Sequence, residues 1–310
     1  MRVMEDAEIA RQRATNLWES LARKYPPLGK AAHLDPDPDL YFNTIGGLAQ
    51  PKEEILTYSC AATNPEVYER WGTLPPAGLL LIGPPESGKS LLAKTLATST
   101  GTPFLEVLVP RLVLQLLHMP GGAGELLQAW IEAFTEMPKV TVYFREVDLS
   151  NVQAVLGRPE LQAAPVMDFI VELVDRTIEV DQSLVLGSTS RADSIAPVFL
   201  EPGRFERIVE VVPVIPDDVV EALQIHASAA EKRAGRPLFE TVDWKAAVDR
   251  GGSASIGEWV RLLHAVLRHK ARREATGEEP GAITAEDLIA EVERFRKTAA
   301  RLPASSGSYL

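Results

Sequence analysis

Two short stretches carry residues whose types and spacing point to chemistry. The first is Gly83-Pro84-Pro85-Glu86-Ser87-Gly88-Lys89-Ser90, which satisfies G-x-x-x-x-G-K-[ST] in full. It follows the apolar run Gly78–Ile82 and runs straight into a helical pattern that opens Ser90-Leu91-Leu92. That order of strand, glycine-rich loop and helix start is the context a phosphate cradle needs. Gly83 and Gly88 let the backbone turn so that its N–H groups face inward. The helix N-terminus adds partial positive charge. Lys89 is placed to reach the β- and γ-phosphates of a nucleotide, and the Ser90 hydroxyl to take one place in a Mg²⁺ shell.

The second stretch is Val142-Tyr143-Phe144-Arg145-Glu146-Val147-Asp148. A cradle of this kind is normally followed by a metal-holding aspartate, and Arg145 stands there instead. Two unit charges about 4 Å apart interact by ~4 kcal/mol at an effective dielectric near 20. A divalent ion doubles that, so Mg²⁺ binding is expected to weaken. Arg145 escapes the repulsion if it swings away, or pairs with a phosphate oxygen or with Asp148. Glu146 remains to orient or deprotonate an attacking water. The pair of stretches poses one question: does the chain hydrolyse ATP, or only hold it?

The elements that must position these residues follow from periodicity. From about residue 41 to 215, short apolar runs such as 78–82, 140–144 and 183–186 alternate with helical stretches at 90–97, 124–134 and 164–174. Strands alternating with helices imply α/β architecture, a doubly wound parallel sheet covered on both faces. Beyond Pro213 and Pro216 the pattern turns all-helical, with apolar residues at helical spacing over 217–229, 244–248, 256–275 and 285–301. Thr284 and Asp287 announce the last of these as a capping box. Residues 5–24 carry a stripe of Ala7, Ala10, Ala14, Leu17 and Leu21. At about two heptads it is too short to assign a coiled coil, and it packs either on its own subunit or on a neighbour. Pro26-Pro27 and Asp35-Pro36-Asp37-Pro38 read as a linker. The expected division is 1–40 as N-terminal helix and linker, 41–215 as nucleotide-binding domain, 216–302 as helical lid and 303–310 as a flexible tail.

Composition narrows the partners. The 310 residues are 45% hydrophobic and 24% charged, with a net charge of −11 and a pI near 5.1. Such a chain folds, and lacks the basic footprint that nucleic acid or an anionic membrane would require. The single cysteine, Cys60, excludes an intrachain disulfide and is expected in the core. No run approaches a membrane span, and the charged start does not resemble a signal peptide. A cytoplasmic protein is expected. Trp18, Trp71, Trp130, Trp244 and Trp259 are expected to pack, Lys94 to be a solvated charge, and His264 and His269 to have no metal-ligand partners.

Further stretches resemble the AAA ATPase family, the branch that includes the proteasomal ATPases and valosin-containing protein. Asn43-Thr44-Ile45-Gly46-Gly47-Leu48 resembles the segment that lies against adenine. Gly187-Ser188-Thr189-Ser190-Arg191 resembles the sensor segment, and Leu200-Glu201-Pro202-Gly203-Arg204-Phe205 the arginine-finger segment. Gln224-Ile225-His226 is similar to a pair whose histidine approaches ribose or base, and Ser253-Ala254-Ser255 to the turn beneath the base. The resemblance implies that ATP or ADP is held by Gly46, the cradle residues Gly83 to Leu91, Ser190, His226 and Ala254. It implies Mg²⁺ on Ser90, and catalysis by Lys89, Glu146 and an Arg204 supplied by the neighbouring subunit. It also implies an oligomer, usually a hexameric ring of like or unlike subunits, acting on a protein substrate or adaptor.

The departures from that family cluster on hydrolysis. Besides Arg145, Ser190 replaces the sensor asparagine, and Glu201 the first finger arginine. The segment Leu116–Gly122, where the family carries an aromatic pore loop, has no aromatic, and its His118 is a lone loop histidine. The ending Gly307-Ser308-Tyr309-Leu310 is similar to proteasomal docking tails apart from Ser308. These losses favour weak hydrolysis, or a scaffold that binds ATP without turnover.

Overall fold

The computed structural model describes residues 2–116, 123–148, 163–181, 183–251 and 254–299. The segment 117–122, Ser253 and the tail 303–310, each of which carries an expectation above, lie outside the described residues.

Six segments pair into one sheet: β1 (Ala32–Asp35), β2 (Gly78–Ile82), β3 (Phe104–Leu108), β4 (Val140–Arg145), β5 (Ser183–Thr189) and β6 (Arg207–Glu210). Their order is β1-β3-β4-β5-β2-β6, and every pairing is parallel except β1 with β3. The central strands read as continuous apolar runs because both faces are covered. Leu79, Leu80 and Leu81 of β2 are each at most 1% exposed. Leu80, Val107, Val142, Phe144 and Val185 face one cluster, and Leu79, Leu81, Phe104, Tyr143 and Leu186 face another. The first face is covered by α1 (Arg2–Lys24), α2 (Pro26–Ala31), α6 (Val109–Leu116), α7 (Ala123–Glu136) and α8 (Ala163–Ile178). The second is covered by α3 (Ala49–Thr63) and α5 (Lys89–Thr100), with the short α4 (Pro65–Arg70) following α3. Each fully buried Leu or Phe contributes about 1.5–3 kcal/mol.

The linker expected after residue 25 is corrected. Pro26-Pro27 open α2, where a missing N–H costs nothing, and Ala32–Asp35 form an antiparallel edge strand before Pro36. The sheet is therefore mixed and not wholly parallel. Of the two readings of the first helix, the structure has the one on its own subunit. Ala14, Trp18 and Leu21 are buried in the main core, and the Tyr25 hydroxyl donates to the Glu125 carbonyl at 3.1 Å.

The helical part comprises α9 (Asp217–Ala234), α10 (Trp244–Gly251), α11 (Ile256–Ala275) and α12 (Ala285–Ala299). It has its own core of Val219, Leu223, Trp259, Leu263, Leu288 and Val292. The expected box before α12 is present: the Thr284 N–H donates to Asp287 at 2.9 Å, and the Asp287 N–H to Thr284 Oγ1 at 3.3 Å. Three surface expectations are corrected. Cys60 is exposed, because α3 turns that face outward. Trp71 is 84% exposed, unlike the buried Trp18, Trp130 and Trp259. Lys94 is paired with Asp35 at 2.6 Å. Among the described residues, no helix is long and apolar enough to cross a membrane.

Candidate functional site

The glycine-rich loop leaves β2 at Gly83 and enters α5 at Gly88. Gly88 has φ +104°, and a Cβ at Gly83 would stand 2.2 Å from the Val211 carbonyl oxygen, so both positions require glycine. Lys89 is 6% exposed and turns its ammonium back into the loop. It donates to the carbonyls of Gly83 at 2.7 Å and Pro84 at 2.8 Å, and to Ser190 Oγ at 3.1 Å. Burial pulls its pKa down, while the Glu146 carboxylate works in the opposite direction. The Ser87 hydroxyl is buried and has no hydrogen-bond partner among the described residues. An unsatisfied buried polar group costs about 1–3 kcal/mol, so this loop fits a ligand that supplies acceptor oxygens. Leu91, in the first turn of α5, is 47% exposed.

β4 delivers Arg145 and Glu146 to the same end of the sheet. Glu146 sits at φ +55°, a left-handed conformation uncommon for a residue with a side chain. Its carboxylate accepts from the Ser190 N–H at 3.0 Å and from Ser190 Oγ at 2.7 Å. Lys89, Ser190 and Glu146 are thus one connected group. Arg145 does not pair with Asp148. It lies 3.4 Å from Glu106 of β3, because Glu106 stands opposite Tyr143, one diagonal step from Arg145. Asp148 is buried and accepts from Thr189 Oγ1 at 2.6 Å. Behind the loop, the Tyr143 hydroxyl lies 3.2 Å from Ser90 Oγ and donates to Ser188 Oγ at 2.8 Å.

Among the described residues, no cluster of three His, Cys, Asp or Glu side chains could hold a metal on its own. A Mg²⁺ that arrives on a nucleotide fits a lesser demand, namely one protein oxygen. Ser90, at the start of α5, would be the residue to give it, and Arg145 leans toward Glu106.

Arg204 is tied within its own subunit. Its guanidinium donates to Asp175 at 2.6 and 2.8 Å, to Glu201 at 2.5 Å and to the Val198 carbonyl at 2.7 Å. The Asp175 hydrogen bonds, with Glu201 in support and against desolvation, raise its pKa further above the usual arginine value. Glu201, expected only as a lost finger, is therefore a partner of Arg204.

The helical part meets the loop through Glu86. Its carboxylate accepts from Arg261 at 2.7 and 2.8 Å and from Ser255 Oγ at 2.8 Å. Burial pushes this carboxyl up, but the Arg261 and Ser255 hydrogen bonds outweigh it and hold the pKa below the usual range. Glu86 has φ +60°, strain that the ion pair across to α11 offsets. Ser255 also caps α11 in a box with Glu258, and Ala254 just before it packs against the core of the helical part. Gly46 approaches α9 so closely that a Cβ would lie 2.2 Å from the Ala222 nitrogen. His226 lies one helical turn beyond Ala222 and packs against His264 at 5.6 Å. Burial pulls both histidines below their ordinary pKa. Sequence reasoning quoted Tyr143, Ser188 and Ser255 only as members of longer segments, and singled out neither Asp175 nor Arg261 as a contact. A glutamate inside a loop that demands left-handed backbone was the one signal that could have pointed to the Glu86 contact.

A mostly parallel sheet, a glycine-rich loop capping a buried lysine and a helical lid tied to that loop define a P-loop domain with an appended lid. Residues 79–213 match the family described as ATPase family associated with various cellular activities (AAA), and the chain carries an AAA-family domain. It is similar to the proteasome-activating nucleotidase of Methanocaldococcus jannaschii, with 31% identity over 201 residues, 64% of this chain and 46% of that one. The proteasome-activating nucleotidase of Aeropyrum pernix is 30% identical over 265 residues, 81% of this chain and 64% of its own. The matched part of the chain thus spans about half to two thirds of these relatives.

Proposed function

We propose that the chain binds ATP or ADP in the Gly83–Ser90 loop and works in an oligomeric ring as a nucleotide-dependent protein-remodelling ATPase with weak hydrolysis. The observation that carries this is the connected group Lys89–Ser190–Glu146, set beside a loop with an unpartnered buried hydroxyl. Lys89 would exchange its carbonyl partners for phosphate oxygens, and the backbone N–H groups at the start of α5 would face the same anion. Glu146, oriented by two Ser190 hydrogen bonds, would accept a proton from water. A magnesium ion would neutralise phosphate charge, held by Ser90 and, for want of an aspartate at position 145, only weakly. Relatives named proteasome-activating nucleotidases favour a protein as the substrate or adaptor.

A second reading, the scaffold that holds nucleotide without turnover, has its own support. Arg204, the finger a neighbour would need, is occupied by Asp175 and Glu201. A steady-state ATPase assay across protein concentration separates the two. Turnover that rises with concentration and is silenced by Glu146→Gln supports the enzyme. Nucleotide binding with no turnover at any concentration supports the scaffold.

A further inference from the structure

Tyr143 is 0% exposed, and so is Ser188. Its hydroxyl sits between two others, 3.2 Å from Ser90 Oγ and 2.8 Å from Ser188 Oγ. A phenol has one hydrogen to give. Tyr143 gives it to Ser188, so the hydrogen bond to Ser90 needs the Ser90 hydroxyl as donor. That fixes the rotor of Ser90: its hydrogen points down into the sheet, and its lone pairs are left for the cradle. Ser188 Oγ accepts, in addition, the Glu146 N–H at 3.3 Å. One chain of hydroxyls, Ser90–Tyr143–Ser188, therefore joins the end of the glycine-rich loop to the left-handed backbone at Glu146.

We propose that Tyr143 is a positioning residue that holds the Ser90 hydroxyl as an acceptor toward the divalent cation accompanying a bound nucleotide. An acidic side chain at position 145 would have offered a charged acceptor there. With Arg145 turned to Glu106, the phenol is the acceptor the structure provides behind Ser90. The consequence is a metal contribution to nucleotide affinity that runs through a neutral group two residues upstream. This rests on the reading that the loop binds nucleotide.

The test is the affinity of the full chain for a fluorescent ADP, measured with magnesium and with EDTA. Wild type should bind at least fivefold more tightly with magnesium. Tyr143→Phe, which removes one oxygen from a well-packed ring, should reduce that ratio to below twofold while leaving affinity in EDTA within about twofold. Ser188→Ala gives a second arm. With its acceptor gone, Tyr143 would donate to Ser90 and consume a lone pair, so the ratio should fall partway although neither the loop nor Tyr143 has changed. Melting temperatures check that both variants fold. An unchanged ratio in Tyr143→Phe, or equal losses with and without magnesium, overturns the proposal. So does a wild-type protein that binds equally well in EDTA, although nucleotide binding itself then stands. Failure to bind ADP under either condition sinks both readings.

Discussion

The loop and the residues proposed for hydrolysis are arranged differently. In the loop, Gly83, Gly88, Lys89 and Ser90 keep the types of the phosphate-binding motif, Lys89 is held by the loop's own carbonyls, and the buried Ser87 hydroxyl has no partner among the described residues. Among the residues proposed for hydrolysis, no such spare donor is seen, and each charged group is engaged with protein. Arg145 pairs with Glu106, Glu146 with Ser190, and Arg204 with Asp175 and Glu201. Holding a ligand needs donors that gain on binding. Turning it over needs groups free to change partners in the transition state. Under the proposed function, this contrast is what would let secure binding go with weak turnover.

The sharpest way to break that contrast is Lys89→Ala. It should lower ATP affinity at least 100-fold by calorimetric titration, and a smaller loss would mean the loop does not hold phosphate. Next is Glu146→Gln. If turnover exists, it should fall on the order of 10²-fold while ADP affinity changes less than threefold. Equal losses in both would join the two regions instead of separating them. Arg204→Ala removes a two-pronged, partly buried ion pair and should destabilise the α/β part by about 1–2 kcal/mol, read as a lower denaturation midpoint. If stability holds and only turnover drops, Arg204 is free for a neighbour. Arg261→Ala, which cuts the lid from Glu86, should weaken nucleotide affinity only about two- to fivefold.

The smallest effect is on pH. His226 and His264 have pKa values held below the free value, so folding favours their neutral forms. Their contribution is present above the unfolded pKa, near 6.5, and is lost as pH falls through the folded values. The melting temperature should decline modestly between pH 6.5 and 5, and His226→Gln should flatten that decline.

Much of this was legible in the sequence where one segment carried the whole signal. β2, β4 and β5 are continuous apolar runs, and the loop is a contiguous motif. β1, β3 and β6 were not read, because Ala32–Asp35 and Arg207–Glu210 are short edge strands and β3 has Glu106 in its middle. Their pairing is decided by neighbours distant in sequence. The same holds for the partners of the residues proposed for hydrolysis. Arg145 and Glu106 meet only once β3 lies beside β4, and Arg204 meets Asp175 only after α8 packs on the sheet. The Arg145 substitution itself was visible at once, but its direction was not.

The short strand β1 has a practical consequence. It covers the otherwise open rim of β3, with Pro36 and Pro38 just beyond it. Anyone trimming the protein to a nucleotide-binding piece that starts near residue 41 would strip away that cover together with Trp18, Leu21 and Leu28. The piece left behind would carry a bare row of backbone donors and acceptors beside a greasy face, which is a recipe for strand-to-strand clumping. The N-terminal forty residues thus cover a sheet edge as well as filling the core.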